Sequence, residues 1–250
     1  MMKGFYNLTS GMLTQGRRLD VVAHNMTNIT SAGYKADRYT DRTFDEVMAV
    51  RVGNKDKSPY WEMGTTQSHI LAPDQIYTDF EQGSLEQTDL PLDFAIWGDG
   101  FFAVQRDGAV SYTRSGSFTL DDDGYLCLSE LGQVLDPEGN PIQLYTDKIN
   151  ADAAGNIYTE DGDYLATLGV FAFEDNGALE RDDYGLFVGQ GAQPTQEATI
   201  RHKWVERSNV DMVREMVNMM TAQRALQSAA QMSKIYDQVI NKATNDIGRL

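Results

Sequence analysis

Three histidines, one cysteine and a surplus of carboxylates are the residues of this chain most able to do chemistry. His24, His69 and His202 lie far apart, and none stands in an H-x-x-x-H or H-E-x-x-H frame that would bring two imidazoles to one metal. Asp121-Asp122-Asp123-Gly124 has the opening of a calcium loop, but Gly132 stands where the closing glutamate belongs, so the run reads as a solvated turn. Trp97-Gly98-Asp99-Gly100-Phe101 holds a G-x-G with no phosphate-loop lysine and no dinucleotide fingerprint after it; its glycines fit a tight turn before a strand. Cys127, in Tyr125-Leu126-Cys127-Leu128, reads as a structural thiol, and a lone cysteine excludes an intrachain disulfide. No G-x-S-x-G occurs. A carboxylate pair of the glycosidase kind stays open, although so many acids make chance pairing uninformative. The residues therefore assign no catalytic group, no metal site and no cofactor.

The elements that would position these residues are of two kinds. Phe5, Leu8, Met12, Gln15, Leu19, Val22, Met26 and Ile29 step by alternating three and four residues, which predicts a helix from about Lys3 to Thr30 with Gly33 as a left-handed cap. Met219, Ala222, Leu226, Ala229, Ser233, Tyr236, Ile240, Ala243 and Ile247 repeat the pattern at the other end. That helix begins near Ser208, where Ser208 and Asp211 make an acidic variant of the capping box, and runs without glycine or proline to Gly248. A second apolar flank of Val213, Val217, Met220, Met232, Ile235 and Val239 suits contact with more than one neighbour. A three-four seam needs another seam to bury it. The two stripes are free to pair with each other, with neighbouring copies or with both, and an ordinary amphipathic helix on a globular core would read alike.

Between the helices the signals are β. Phe101–Arg106, Asp107-Gly108 and Ala109–Thr113 form a hairpin pattern, and short apolar runs recur with turn residues every eight to twelve positions or so, the spacing of a sandwich or barrel. The fold class expected is α+β: long N- and C-terminal helices pairing as a coiled-coil-like helical domain, with an inserted all-β, sandwich- or barrel-like middle. The divisions are residues 1–34 for the first helix, 35–67 for a partly extended connector with a polar Asn54–Pro59 loop, 68–200 for the β region and 201–250 for the last helix.

The net charge of −16 is unevenly spread: both ends are mildly basic and residues 41–200 carry a net −22, which argues against nucleic acid as a partner. No run of about 18 apolar residues predicts a membrane span, and the N-terminus lacks the apolar core and cleavage site of a secretory signal.

Three blocks of the chain carry a further signal. The first is Leu19 to Asn28, with Asn25 and Asn28, followed by Gly33-Tyr34-Lys35. The second is Leu92 to Phe102, with Asp93, Gly98 and Gly100, followed by Tyr112-Thr113-Arg114-Ser115-Gly116-Ser117-Phe118. The third is Ser208-Asn209-Val210-Asp211 through to Gln223-Arg224-Ala225. Together they resemble the bacterial flagellar basal-body rod and hook proteins, with His24, Met26-Thr27 and Arg207 departing from the family pattern. Size and a compact middle resemble the rod proteins, proximal or distal, more than the longer hook subunit. The resemblance implies a non-enzymatic rod subunit needed for flagellum assembly and motility. It implies partners among other rod and hook subunits and copies of itself, and passage through the flagellar type III export apparatus without a cleaved signal to the basal body outside the cytoplasmic membrane. It places the assembly interface on Leu8, Met12, Leu19, Val22, Met26 and Ile29, facing Leu226, Ala229, Tyr236, Ile240 and Ala243 or their counterparts. Arg114 either pairs with an acid such as Asp93 or stays solvated. The alternative reading is a peptidoglycan-active or surface-binding β domain on a coiled-coil stalk.

Overall fold

The structure is a computed structural model and describes residues 2–43, 47–50, 62–66, 71–106, 108–129, 131–195 and 198–247. His69, the Asn54–Pro59 loop and Asp107 lie outside the described residues. Two α-helices occur among those described: α1, Met2–Thr27, and α2, Met212–Ile247. The described residues between them form strands, turns, irregular loops and one short 3-10 helix.

The chain divides into two compact units. One holds Met1–Met26, Asp37–Tyr77 and Met212–Leu250; the other holds Thr27–Ala36 and Thr78–Asp211.

In the first unit the strand Asp37–Thr43 pairs with Leu71–Thr78, and Val47–Val50 pairs antiparallel with Glu62–Thr66. The expected coiled-coil-like pairing of two long helices is not what forms. Two seams in a coiled coil bury each other along their length. On α2 only Ala222 is fully buried among the described residues, and Ile240 and Ala243 are exposed. On α1 burial is confined to Thr14, Val21, Val22 and Asn25, and the polar contacts at that end run to the strand Asp37–Thr43. Each stripe is shielded only in part, and a β-strand lies beside the end of α1. The first helix is also shorter than its stripe: it ends at Thr27, so Ile29 and Gly33 follow it. Gly33 does hold a left-handed φ of +66°, and a Cβ there would overlap the backbone of Arg114 and Ser115. Its role is therefore close approach rather than capping.

In the second unit the strand Phe101–Arg106 is central. It has Ala109–Thr113 on one edge; Val170–Ala172 and Gln133–Val134 follow one another along the other. Its side chains alternate between two apolar clusters: Phe102 and Val104 pack with Phe94, Ile96, Leu126 and Ile157, while Phe101 and Ala103 pack with Tyr112, Leu135 and Phe187. That is why the run is apolar at consecutive rather than alternate positions. The full sheet has nine strands, with Glu180–Arg181 and Thr119–Leu120 at the ends of its main path. Smaller sheets join Thr199–His202 to Phe94–Trp97, and Trp204–Glu206 to Leu85–Gln87.

One turn recurs through this unit and accounts for several of its acids. At Asp121, Asp136, Asp152 and Asp182 the carboxylate Oδ1 accepts the backbone N–H groups two and four residues on, at 2.7–3.1 Å. The residue three on is glycine each time (Gly124, Gly139, Gly155, Gly185), with φ between +79° and +89°. Thr159 and Gly162 make a variant in which a hydroxyl takes the place of the carboxylate. An aspartate side chain that mimics a backbone acceptor, followed by a glycine free to take positive φ, closes each hairpin. The Asp121 oxygens that suggested a calcium loop are thus engaged with backbone amides and with Cys127, whose Sγ donates to Oδ2 at 3.6 Å. Burial, aided by Asp121, pushes the Cys127 thiol up to about 11, which keeps it protonated and unreactive at neutral pH. Among the described residues no group of His, Cys, Asp or Glu is placed to hold a metal ion.

Candidate assembly site

The helix stripes that the sequence marked lie on the first unit, apart from Ile29, which belongs to the second. Of the α1 stripe, Val22 is buried and Leu8, Met12, Leu19 and Met26 are half-buried, as is Ile29 beyond the helix end. Of the α2 stripe, Leu226, Ala229 and Tyr236 are half-buried. The second α2 flank is open: Val213, Val217, Met220, Met232, Ile235 and Val239 all rank among the exposed large hydrophobics. At 3.6 residues per turn this flank sits about 150° around the helix from the half-buried stripe. Helix α2 is therefore apolar on two sides, and one of them meets solvent. Gln223 and Arg224 are also exposed on α2.

Asn25 fixes the end of α1. Its Nδ2 donates to the carbonyl of Asp37 at 2.8 Å and its Oδ1 accepts the Asp37 N–H at 2.9 Å, so the buried amide acts as a one-residue strand partner. Asn25 also hydrogen-bonds the Glu215 carboxylate at the start of α2; burial pushes that carboxyl up, and hydrogen bonds from Asn218 and Asn25 oppose it. Asn28 acts locally, accepting the Ser31 hydroxyl at 3.2 Å. Replacing Asn25 with alanine leaves both Asp37 backbone groups without this partner and is expected to cost about 1–3 kcal/mol, read as a lower urea midpoint.

The second unit contains a buried charge cluster that sequence reasoning missed. Glu206 Oε1 lies 2.6 Å from Lys35 Nζ, and Glu206 Oε2 lies 3.4 Å from Arg114 Nη1. The three side chains are at most 4 % exposed. Two cations share one anion, so carbonyl oxygens complete the set: Lys35 Nζ donates to Glu81 O at 2.8 Å and Arg114 Nη2 to Gly98 O at 2.8 Å. The Gly83 N–H donates to Glu206 Oε1, and Arg181 Nη2 donates to the Lys35 carbonyl. Burial pulls the Lys35 and Arg114 pKa values down from their ordinary ranges, and Glu206 opposes the shift in both. Of the two readings of Arg114, pairing with an acid is the one that forms, but the acid is Glu206 rather than Asp93, which accepts the Ser117 hydroxyl at 3.0 Å.

The remaining motif residues fix local backbone and packing. Asn209 accepts the Ala36 N–H at 2.7 Å and donates to the Asp79 and Glu81 carbonyls, tying the stretch before α2 to the stretch after α1. Ser208 accepts the Val210 N–H in a local turn, and α2 begins four residues later. Gly116 lies against Phe94, where a Cβ would overlap the Phe94 carbonyl oxygen. Tyr112 packs edge-on against Phe171 and Phe173, and Gly98 and Gly100 turn the chain with φ of +103° and +140°. His202 stacks on Phe94 with ring centroids 5.2 Å apart and bonds the Pro91 carbonyl through Nε2 at 2.7 Å. Burial is the main cause of its lowered pKa, with Lys203 adding to the shift and the Pro91 bond opposing it. A folded pKa below the usual 6.5 means that this contribution to stability is complete above 6.5 and is lost as the pH falls through that region. The gap in urea midpoint between wild type and His202→Gln should therefore narrow from pH 7.5 to pH 5.5.

The surfaces described are apolar helix faces held by polar fasteners. Two family models match the chain: the C-terminal segment of the flagellar basal body rod FlgEFG proteins over residues 202–246, and the D1 domain of the flagellar hook proteins FlgE/F/G over residues 95–152. The likeness also runs end to end. The chain is 27% identical to the flagellar basal-body rod protein FlgG of Bacillus subtilis, over 98% of this chain and 99% of that one. It is 27% identical to the flagellar hook-basal body complex protein FlhO of the same organism over the whole of both chains. It is 29% identical to the flagellar basal-body rod protein FlgF of Mesorhizobium japonicum, over 92% and 91% of the two chains. Along its whole length the chain is similar to the flagellar basal-body rod proteins. The rod-family segment at 202–246 spans α2 and the strand that carries Glu206, so it takes in both the two-sided helix and the anion of the charge cluster.

Proposed function

We propose that this rod-family subunit enters the flagellar axis through the apolar faces of its terminal helices. The chain is a structural subunit of the flagellar basal-body rod, as its full-length likeness to FlgG and FlgF proteins supports. The observation that carries the assembly mode is the open α2 flank at Val213, Val217, Met220, Met232, Ile235 and Val239. A helix that is apolar on two sides needs a second neighbour, and a surface of one copy meeting a different surface of the next gives a contact that propagates rather than closes. Leu8, Met12, Leu19, Val22, Met26 and Ile29 on the N-terminal segment, and Leu226, Ala229, Tyr236, Ile240 and Ala243 on the other side of α2, are offered as further contact positions in the assembled rod.

In this reading the partners are copies of the chain and other rod and hook subunits. The subunit does no catalysis, reaches the basal body outside the cytoplasmic membrane through the flagellar type III export apparatus, and carries no cleaved signal. No helix of the described residues is long and apolar enough to cross a membrane. The N-terminal helix, with Gly4, Gly11 and Gly16 weakening it by up to about 1 kcal/mol each relative to alanine, suits a segment threaded through a channel unfolded. Deleting the chain should leave cells without hook or filament; a deletion strain that still swims would overturn the reading.

A further inference from the structure

Arg201 is an unusual cation in this acidic chain. Its guanidinium lies over the indole of Trp97, 4.9 Å from the centroid, and over the indole of Trp204 at 5.4 Å. Trp97 is 53% exposed and Arg201 is exposed. Among the described residues Arg201 makes no hydrogen bond and no ion pair, although residues 41–200 carry a net charge of −22. The neighbouring arginine, Arg207, does find a carboxylate, Glu86, at 3.4 Å. Register explains how the three side chains meet. Thr199 stands opposite Trp97 and Arg201 opposite Ala95, so Trp97, Thr199 and Arg201 share the outer face of one strand pair while Ile96 and Ile200 fill the core behind. Two flat rings hold the guanidinium plane in place and leave its N–H donors directed at solvent.

We infer that the Trp97–Arg201–Trp204 patch is a docking surface for an acidic turn of a second copy of this chain. Charge complementarity selects the occupant. Outer units with a large net negative charge repel one another when packed side by side, and a fixed guanidinium set in aromatic surface offsets that repulsion at one point of contact. The best-equipped counterpart is the hairpin tip Glu160–Tyr164. Glu160, Asp161 and Asp163 are exposed, their carboxylates accept no hydrogen bond among the described residues, and Tyr164 stands 60% exposed beside them. Carboxylates against Arg201 and a tyrosine against the two indoles make a pairing of matched chemistry, and because patch and tip are different surfaces, the contact repeats from copy to copy.

This inference rests on the rod reading and adds a lateral contact outside the helices. The test is a disulfide trap in the full-length chain, expressed in cells in place of the native one. Thr199→Cys, beside Trp97, is combined with Asp161→Cys in a Cys127→Ser background. Oxidised, purified basal bodies should yield cross-linked dimers of the chain with both cysteines, and none with either alone. Chain present in basal bodies as monomer only would overturn the patch and leave the rod reading standing; chain absent from basal bodies of swimming cells would overturn the rod reading itself. Arg201→Glu should lower incorporation about tenfold or more, and Glu160→Lys with Asp161→Lys should restore it in the same chain. Incorporation of Arg201→Glu at the wild-type level, or no recovery on charge exchange, contradicts the contact.

Discussion

Glu206→Ala is expected to lower the stability of the chain by about 3–5 kcal/mol, a large part of the 5–15 kcal/mol typical of a folded domain. The reason is the composition of the cluster. Glu206 is the anion in direct contact with both the buried Lys35 ammonium and the Arg114 guanidinium, and it also accepts the Gly83 N–H. Removing it leaves two buried cations with the Glu81 and Gly98 carbonyls as hydrogen-bond partners and the more distant Asp79 and Asp99 as the remaining opposite charges. Thermal unfolding should shift down by about 10 °C or more. Replacing all three charges together, as Lys35→Met, Arg114→Met and Glu206→Leu, should cost far less than the single change, because the penalty lies in the unpaired charge and not in the loss of the pair. A Glu206→Ala chain that melts with the wild type would show the cluster to be hydrated.

The second large effect concerns assembly alone. Val217→Asp combined with Ile235→Asp places two carboxylates on the open flank of α2, where the native side chains are 49% and 54% exposed. Substitution at exposed positions should leave the isolated chain within about 0.5 kcal/mol of wild type. In an apolar interface the same carboxylates are buried without partners, which costs several kcal/mol for each subunit added. Cells carrying the double variant should be non-motile in soft agar. Matched changes on the polar part of the helix, at Gln223 and Arg224, should be tolerated far better.

These two predictions differ in how much of their basis was legible in the sequence. Helix α2 and its two apolar flanks were visible, because a 3.6-residue period is written locally and nothing interrupts it before Gly248. What covers the stripe was not visible. Periodicity marks an apolar face but not its cover, and for α1 the polar fasteners through Asn25 reach both the strand at Asp37 and Glu215 at the start of α2. The hairpin at Phe101–Thr113 was legible because both strands and their turn are contiguous. The run Leu165–Phe173, unbroken by any charged residue, forms two strands, Tyr164–Thr167 and Val170–Ala172; a Cβ at Gly169 between them would lie 2.7 Å from the Asp136 carbonyl oxygen. The charge cluster left no local trace. Lys35 and Glu206 are 171 residues apart, and each alone resembles a solvated charge. Arg114 stood in a recognisable motif, yet only the fold could choose Glu206 over Asp93 as its partner.

The central claim is that the open flank of α2 is the surface by which the subunit is built into the rod. The most direct measurement is the amount of the full-length Val217→Asp/Ile235→Asp chain recovered in purified basal bodies, by quantitative mass spectrometry against wild type, with the urea midpoint of the isolated chain as control. The account predicts an unchanged midpoint and a chain missing from basal bodies. An unchanged midpoint with wild-type recovery would contradict it.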